Sequence, residues 1–225
     1  MINYYDKLLL SLSEIKGHSS LLIHGFTGCP FHCFHCFNYD EIVNGNPSSS
    51  YQIEDVIHFI KRQEQLYEFI ILSGGEYLRA PLEHLKKDLS LIKEASNKPI
   101  IVYTTGVELE KMKVLFQAGL IDGFHIDMKL PYHLLNEDDF DLVELTMGIA
   151  LKNLKLFDTL LNAIEFVIAY DKGFSRIRSV QYPFLSPSAF EANRMFIHQL
   201  NHRYGKNVPY DVNPFIYTED TQATA

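Results

Sequence analysis

Cysteine is scarce in this chain: it has three in 225 residues, all within the stretch Cys29-Pro-Phe-His-Cys33-Phe-His-Cys36. Long apolar runs are missing too, and no stretch reaches the roughly 18 residues that a membrane-spanning helix needs. The N-terminal Met1 to Lys16 holds Leu8-Leu9-Leu10, but Ser interrupts it, Asp6 and Glu14 flank it, and no small-residue cleavage site follows. Basic surplus is absent as well. A net charge of -8 argues against a nucleic-acid or membrane-surface binder, and Lys61-Arg62 and Lys86-Lys87 read as solvated helix faces. Repeats, low-complexity segments and linkers are lacking. These absences leave one cytoplasmic domain over 1–225, in which reduced, closely spaced thiols read as metal ligands. With 47% hydrophobic residues the chain can bury one sizeable core.

Alternation gives the fold class. Strand-like runs recur at Leu21-Leu22-Ile23, Phe69 to Leu72, Ile100 to Val102, Phe124 to Met128 and Glu165 to Ala169, and Tyr210 to Pro214 closes the series. Helical patterns lie between them. Leu82, Leu85, Leu89 and Ile92 share one helical face within Pro81 to Ala95, and Leu109, Met112, Leu115 and Phe116 do so within Glu108 to Ala118, which Gly119 stops. Ile53 to Tyr67, the interval around Leu142 to Leu161, and Pro187 to Tyr204 supply the rest. Strand, helix, strand in repetition predicts a parallel sheet with outer helices. About six units are too few for a full eight-fold barrel of about 250 residues, so the expected fold is α/β, a partial (β/α)6 barrel. Asn44 to Ser50 reads as a long loop and 219–225 as a disordered tail.

In such folds chemistry gathers at the carboxyl ends of strands. The first strand leads into the cysteines, which fit an iron-sulfur cluster with one iron free of protein ligands. A Cys3His zinc site with His24, His32 or His35 is the alternative, and a structural trio of thiols is the third reading. The second strand ends in Ser73-Gly74-Gly75-Glu76, where glycines admit close approach of a ligand and a carboxylate follows. The third ends in Tyr103-Thr104-Thr105-Gly106, whose threonines also suit a helix cap. On the fourth, alternation sends Phe124, Ile126 and Met128 to the helices and His125, Asp127 and Lys129 inward, where they must pair or bind something. On the run beginning at Glu165, that glutamate is expected to join the interior set.

Cys-x3-Cys-x2-Cys combined with a Gly-Gly-Glu strand end resembles the radical S-adenosylmethionine enzymes, over about Ser20 to Pro214. Phe26-Thr27-Gly28-Cys29, Cys36-Phe37-Asn38, Leu72 to Glu76, Ile126 to Lys129 and Leu145-Thr146-Met147-Gly148 are most similar to the glycyl-radical enzyme activases, particularly activating proteins of anaerobic ribonucleotide reductase. The resemblance implies a 4Fe-4S cluster on Cys29, Cys33 and Cys36, with S-adenosylmethionine at the open iron. It places His35 beside the adenine, Gly74, Gly75 and Glu76 at the methionine moiety, and Thr104, Asp127 and Lys129 at the carboxylate and ribose, with a monovalent cation at Asp127. It further implies reduced flavodoxin or ferredoxin as electron donor, and a 5′-deoxyadenosyl radical that takes hydrogen from a glycine of a partner glycyl-radical enzyme.

One departure stands out. Many activases carry an Arg two residues beyond the fifth-strand Glu, where this chain has Val167, so either Lys129 or Arg176 is expected to take over that contact or the substrate step differs from the usual one. A small-molecule enzyme similar to 7-carboxy-7-deazaguanine synthase, or a zinc-binding module without catalysis, is the competing reading.

Overall fold

A computed structural model describes residues 1–45 and 49–216. Seven strands form one sheet in sequence order: β1 (Leu9–Ile15), β2 (His18–Gly25), β3 (Phe69–Gly74), β4 (Ile100–Thr104), β5 (Gly123–Asp127), β6 (Arg176–Gln181) and β7 (Tyr210–Pro214). β1 turns back antiparallel onto β2, and β2 through β7 run parallel. The sheet curls into a half-barrel with helices around it, the partial barrel that the alternation predicts. The helices are α1 (Ile53–Arg62), α2 (Leu82–Ala95), α3 (Leu109–Gln117), α4 (Phe140–Met147), α5 (Lys155–Tyr170) and α6 (Pro187–Tyr204). No helix among the described residues is long and apolar enough to cross a membrane.

Period-two alternation sorts each strand into two faces. Leu21 and Ile23, Ile70 and Leu72, Ile100 and Val102, Phe124 and Ile126, and Ile177 join the helices in one hydrophobic core. Each such side chain stabilises the fold by about 1.5–3 kcal/mol when fully buried. The opposite face is polar toward the carboxyl ends. Register pairs His24 with Ser73, lines up Tyr103, His125 and Arg176 across three strands, and one step on aligns Asp127, Arg178 and Asp211. The core holds the barrel together, and the inner face is left for chemistry.

Two elements differ from the sequence expectation. Glu165 to Ala169 lies within α5, whose buried Phe157, Leu160, Ile164 and Val167 recur at helical spacing. Glu165 therefore never enters the interior: it accepts hydrogen bonds from Arg203 and Tyr204 of α6 on the outside. The strand it was expected to form is β6, eleven residues later, and β1 precedes the first expected strand. Within the expected loop Asn44 to Ser50, residues 46–48 lie outside the described residues, as does the expected tail 219–225.

Candidate active site

The loop after β2 carries the three cysteines, all free and half-buried, into a cavity of about 320 Å³ at the carboxyl ends of the strands. The end of β3 pins this loop. Glu76 N–H donates to the Gly28 carbonyl (2.8 Å), Thr27 Oγ1 donates to the Glu76 carbonyl (2.9 Å), and Asn38 Nδ2 donates to the Gly74 carbonyl (2.9 Å). Gly75 must be a glycine because a Cβ there would overlap the Gly28 carbonyl oxygen. Cysteine loop and Gly-Gly-Glu turn are thus one packed unit.

Of the residues singled out from the sequence, Cys29, Cys33, Cys36, His35, Gly74, Gly75, Thr104, Asp127 and Lys129 all line the cavity. His35 holds a left-handed backbone (φ 44°), and its ring lies edge-on to Phe34 with centroids 4.3 Å apart. Glu76 does not line it. Its carboxylate is fully buried behind the wall, accepting from Thr104 Oγ1 (2.7 Å), Thr105 N–H (2.8 Å) and Thr105 Oγ1 (2.7 Å). Burial pushes its carboxyl pKa up while these three donors pull it down, and the net shift is upward. Glu76 is the rivet between the ends of β3 and β4.

Asp127 faces two cations: Arg178 Nη2 at 3.0 Å and Lys129 Nζ at 3.4 Å. Burial would raise the Asp127 pKa, but Lys129 and Arg178 hold it below the usual carboxylate range. Burial opposes the charge on Lys129, and Cys33 and Asp127 restore it, keeping the ammonium well above its ordinary pKa. Burial pushes the Cys29 thiol up to about 11 and raises Cys33 as well, with Lys129 countering the rise at Cys33. His125, the inward histidine, stacks on Tyr103 with ring centroids 4.9 Å apart, and burial with Arg178 and Arg176 nearby lowers its pKa to about 3. It is a neutral wall residue below the cavity.

The sequence reading missed Arg178, Tyr182 and Phe215. Arg178 reaches the cavity from β6, lies 4.1 Å over the Tyr103 ring, and leaves its buried Nε without a partner. Of the two expected stand-ins for an arginine at 167, Lys129 lines the cavity with Arg178, whereas Arg176 does not and pairs with Asp211 (3.0 Å); Val167 itself is buried on α5. The alternation Arg176-Ile177-Arg178-Ser179-Val180 was the available signal. Tyr182 and Phe215 come from just beyond the ends of β6 and β7, where strand spacing alone gives no sign of a ligand.

A model of the Radical SAM superfamily matches residues 23–138, slightly more than half of the chain and the part that carries the cysteines, Gly-Gly-Glu, Thr104, Asp127 and Lys129. The chain belongs to the radical SAM superfamily. Radical SAM proteins use a 4Fe-4S cluster and S-adenosylmethionine. Among curated proteins, the putative L-lysine 2,3-aminomutase of Aquifex aeolicus (strain VF5) is 29% identical over 103 residues, covering 45% of this chain and 28% of that protein. Solved structures of native and histidine-tagged anSMEcpe with bound AdoMet superpose with a TM-score of 0.53 at 16% and 17% identity, over 86% of this chain and 51% and 50% of those. That likeness carries the fold alone. The chain thus spans less than a third of the curated relative and about half of the solved ones.

The residues of this radical SAM site fit both groups. Three soft thiols on one loop suit iron, and the absence of a fourth cysteine leaves one iron of a cubane open. Among the described residues no three His, Cys, Asp or Glu converge as one metal ion requires, and a cubane asks no such convergence because each thiolate ligates its own iron. Lys129 and Arg178 line the same cavity as the thiols and offer positive donors to a carboxylate. The cavity lies in the size range of small-molecule sites, about 300–1,000 Å³.

Proposed function

We propose that this radical SAM protein cleaves S-adenosylmethionine reductively and uses the product to install a glycyl radical on a partner enzyme of the anaerobic ribonucleotide reductase kind. When bound, the cluster supplies an electron and S-adenosylmethionine supplies the hydrogen-abstracting 5′-deoxyadenosyl group. Cys29, Cys33 and Cys36 would hold the cluster. Lys129 and Arg178 would grip the carboxylate of S-adenosylmethionine, with Asp127 orienting both cations. Gly74 and Gly75 would let the methionine moiety approach backbone, and Thr104 and His35 would border the nucleoside. Glu76 keeps the two strand ends in register. Reduced flavodoxin or ferredoxin is the proposed donor.

The observation that carries the activase reading is the rim of the cavity. Phe37 is 62% exposed and Ile216 is 61% exposed, so apolar side chains border an opening where a small-molecule enzyme would close its pocket over substrate. Such a rim suits a polypeptide loop. Arg178 supports the same reading, because it returns the guanidinium that Val167 lacks.

The test is anaerobic. Reconstituted protein with dithionite and S-adenosylmethionine should release 5′-deoxyadenosine, and a glycyl-radical enzyme added to the mixture should acquire a glycine-centred radical by electron paramagnetic resonance. Absence of 5′-deoxyadenosine with a full complement of iron overturns the reading. Conversion of added free lysine to an isomeric amino acid, and no radical on the protein partner, replaces it with an amino-acid rearrangement.

A further inference from the structure

We propose that the carboxyl end of α4 is a clamp that keeps two backbone N–H groups away from the cluster and so holds its potential low; this rests on the cluster reading above. The motif Leu145-Thr146-Met147-Gly148 takes no part in the cavity itself. It grips the cysteine loop from behind, through backbone. His32 N–H donates to the Met147 carbonyl (3.0 Å) and Phe34 N–H to the Thr146 carbonyl (3.1 Å), so the two bonds bracket Cys33.

The acceptors are available for a plain reason. Thr146 and Met147 are the last residues of α4, and the final carbonyls of a helix have no partner within it. Gly148 then turns the chain in the left-handed conformation, φ 62° and ψ 33°. A Cβ at Gly148 would overlap the His32 carbonyl oxygen, so only glycine lets the two segments close. The clamp is anchored to the site from a third side: Tyr132 Oη donates to Met147 Sδ (3.7 Å) and accepts from Lys129 N–H (3.3 Å).

The electronic consequence follows from charge. An N–H that donates to a cluster sulfur stabilises the added electron and raises the potential, and exposure to water does the same. His32 and Phe34 sit among the ligands, and their N–H groups are instead committed to helix carbonyls. The carbonyl end of the helix also carries partial negative charge, which disfavours reduction. Both effects keep the cluster strongly reducing, as cleavage of a sulfonium demands. Thr146, Met147 and Gly148 are positioning residues.

Gly205 supplies the control. It ends α6 with φ 61° and ψ 36°, nearly the same backbone, yet a Cβ there meets nothing within 4 Å. In the full, reconstituted protein, Gly148→Ala should move the cluster midpoint potential to a more positive value in a titration followed by electron paramagnetic resonance. Gly205→Ala, which carries only the strain of the left-handed turn, should stay at the wild-type value and lose less thermal stability. Equal potentials in all three proteins overturn the clamp. Hydrogen exchange on the wild-type apoprotein decides the matter if Gly148→Ala fails to fold: the His32 and Phe34 amides should exchange more slowly than those of Cys33 and His35, and equal rates overturn it. A wild type that takes up no 4Fe-4S cluster instead counts against the proposed function, and the exchange rates still report on the clamp.

Discussion

Arg176 and Arg178 stand two residues apart on β6 and face the same side of the sheet, yet their partners separate their roles. Arg176 is neutralised by Asp211 one strand over and does not line the cavity; Arg178 lines it and shares Asp127 with Lys129. Two cations meeting one carboxylate leave surplus positive charge, which an incoming carboxylate can neutralise. Arg178→Lys keeps the charge but loses the planar fork that spans Asp127 and the Tyr103 face, and should weaken S-adenosylmethionine binding roughly tenfold, about 1.4 kcal/mol. Arg176→Ala should leave affinity within about twofold, a factor worth well under 1 kcal/mol. Anaerobic equilibrium dialysis with iron content measured alongside checks both, and equal losses in the two variants would remove Arg178 from the site. Most of the cavity was legible at this scale because the cysteines, Gly-Gly-Glu and the Asp127/Lys129 pair are local patterns. Arg178 was not, since its meaning depends on which strand it occupies.

At the scale of elements, one segment misled for a physical reason. Glu165 to Ala169 is a short apolar run with two β-branched residues, and over five residues a broad buried helix face and a buried strand look alike. Length separates them. The helical spacing of Phe157, Leu160, Ile164 and Val167 extends the pattern over the 16 residues of α5, well beyond ordinary strand length. β6 was hidden for the complementary reason: an arginine pair on its inner face makes Arg176 to Gln181 read as polar, although Ile177 is fully buried. β1 was hidden because its edge residues remain open to solvent, Leu12 at 78% exposure. The reassignment has a sharp consequence at position 167. Val167 is 2% exposed within the helix layer, so Val167→Arg buries a guanidinium without a partner and should cost about 3 kcal/mol or more of stability in urea unfolding. An inward strand position would accept the arginine at little cost and bind S-adenosylmethionine more tightly.

At the scale of the molecule, a half-barrel has an exposed edge problem that a closed barrel lacks, and this chain meets part of it with its first residues. β1 covers one side of β2. Ahead of it the N-terminal strap bridges through Tyr4 to Gly25, at the end of β2, and to Tyr51, just before α1. Tyr4 is fully buried, and its hydroxyl donates to Asp88 of α2 (2.8 Å) and lies 3.2 Å from the Tyr77 hydroxyl. Tyr77 immediately follows Glu76, so the strap ties a distant helix to the turn that supports the cysteine loop. Asp88 depends on that hydroxyl: burial raises its pKa, Tyr4 counters the rise, and its second oxygen has no partner. Tyr4→Phe keeps the ring and removes the donor, leaving a buried carboxyl unsatisfied at about 1–3 kcal/mol. For a chain of this size each kcal/mol lowers the melting temperature by about 2–4 °C. The apoprotein should therefore melt several degrees earlier, while Tyr4→Phe retains the wild-type iron content, because the ring still packs beside Tyr77. An unchanged melting temperature would show that water replaces the hydroxyl at Asp88, and that the strap holds the half-barrel through its backbone bridges alone.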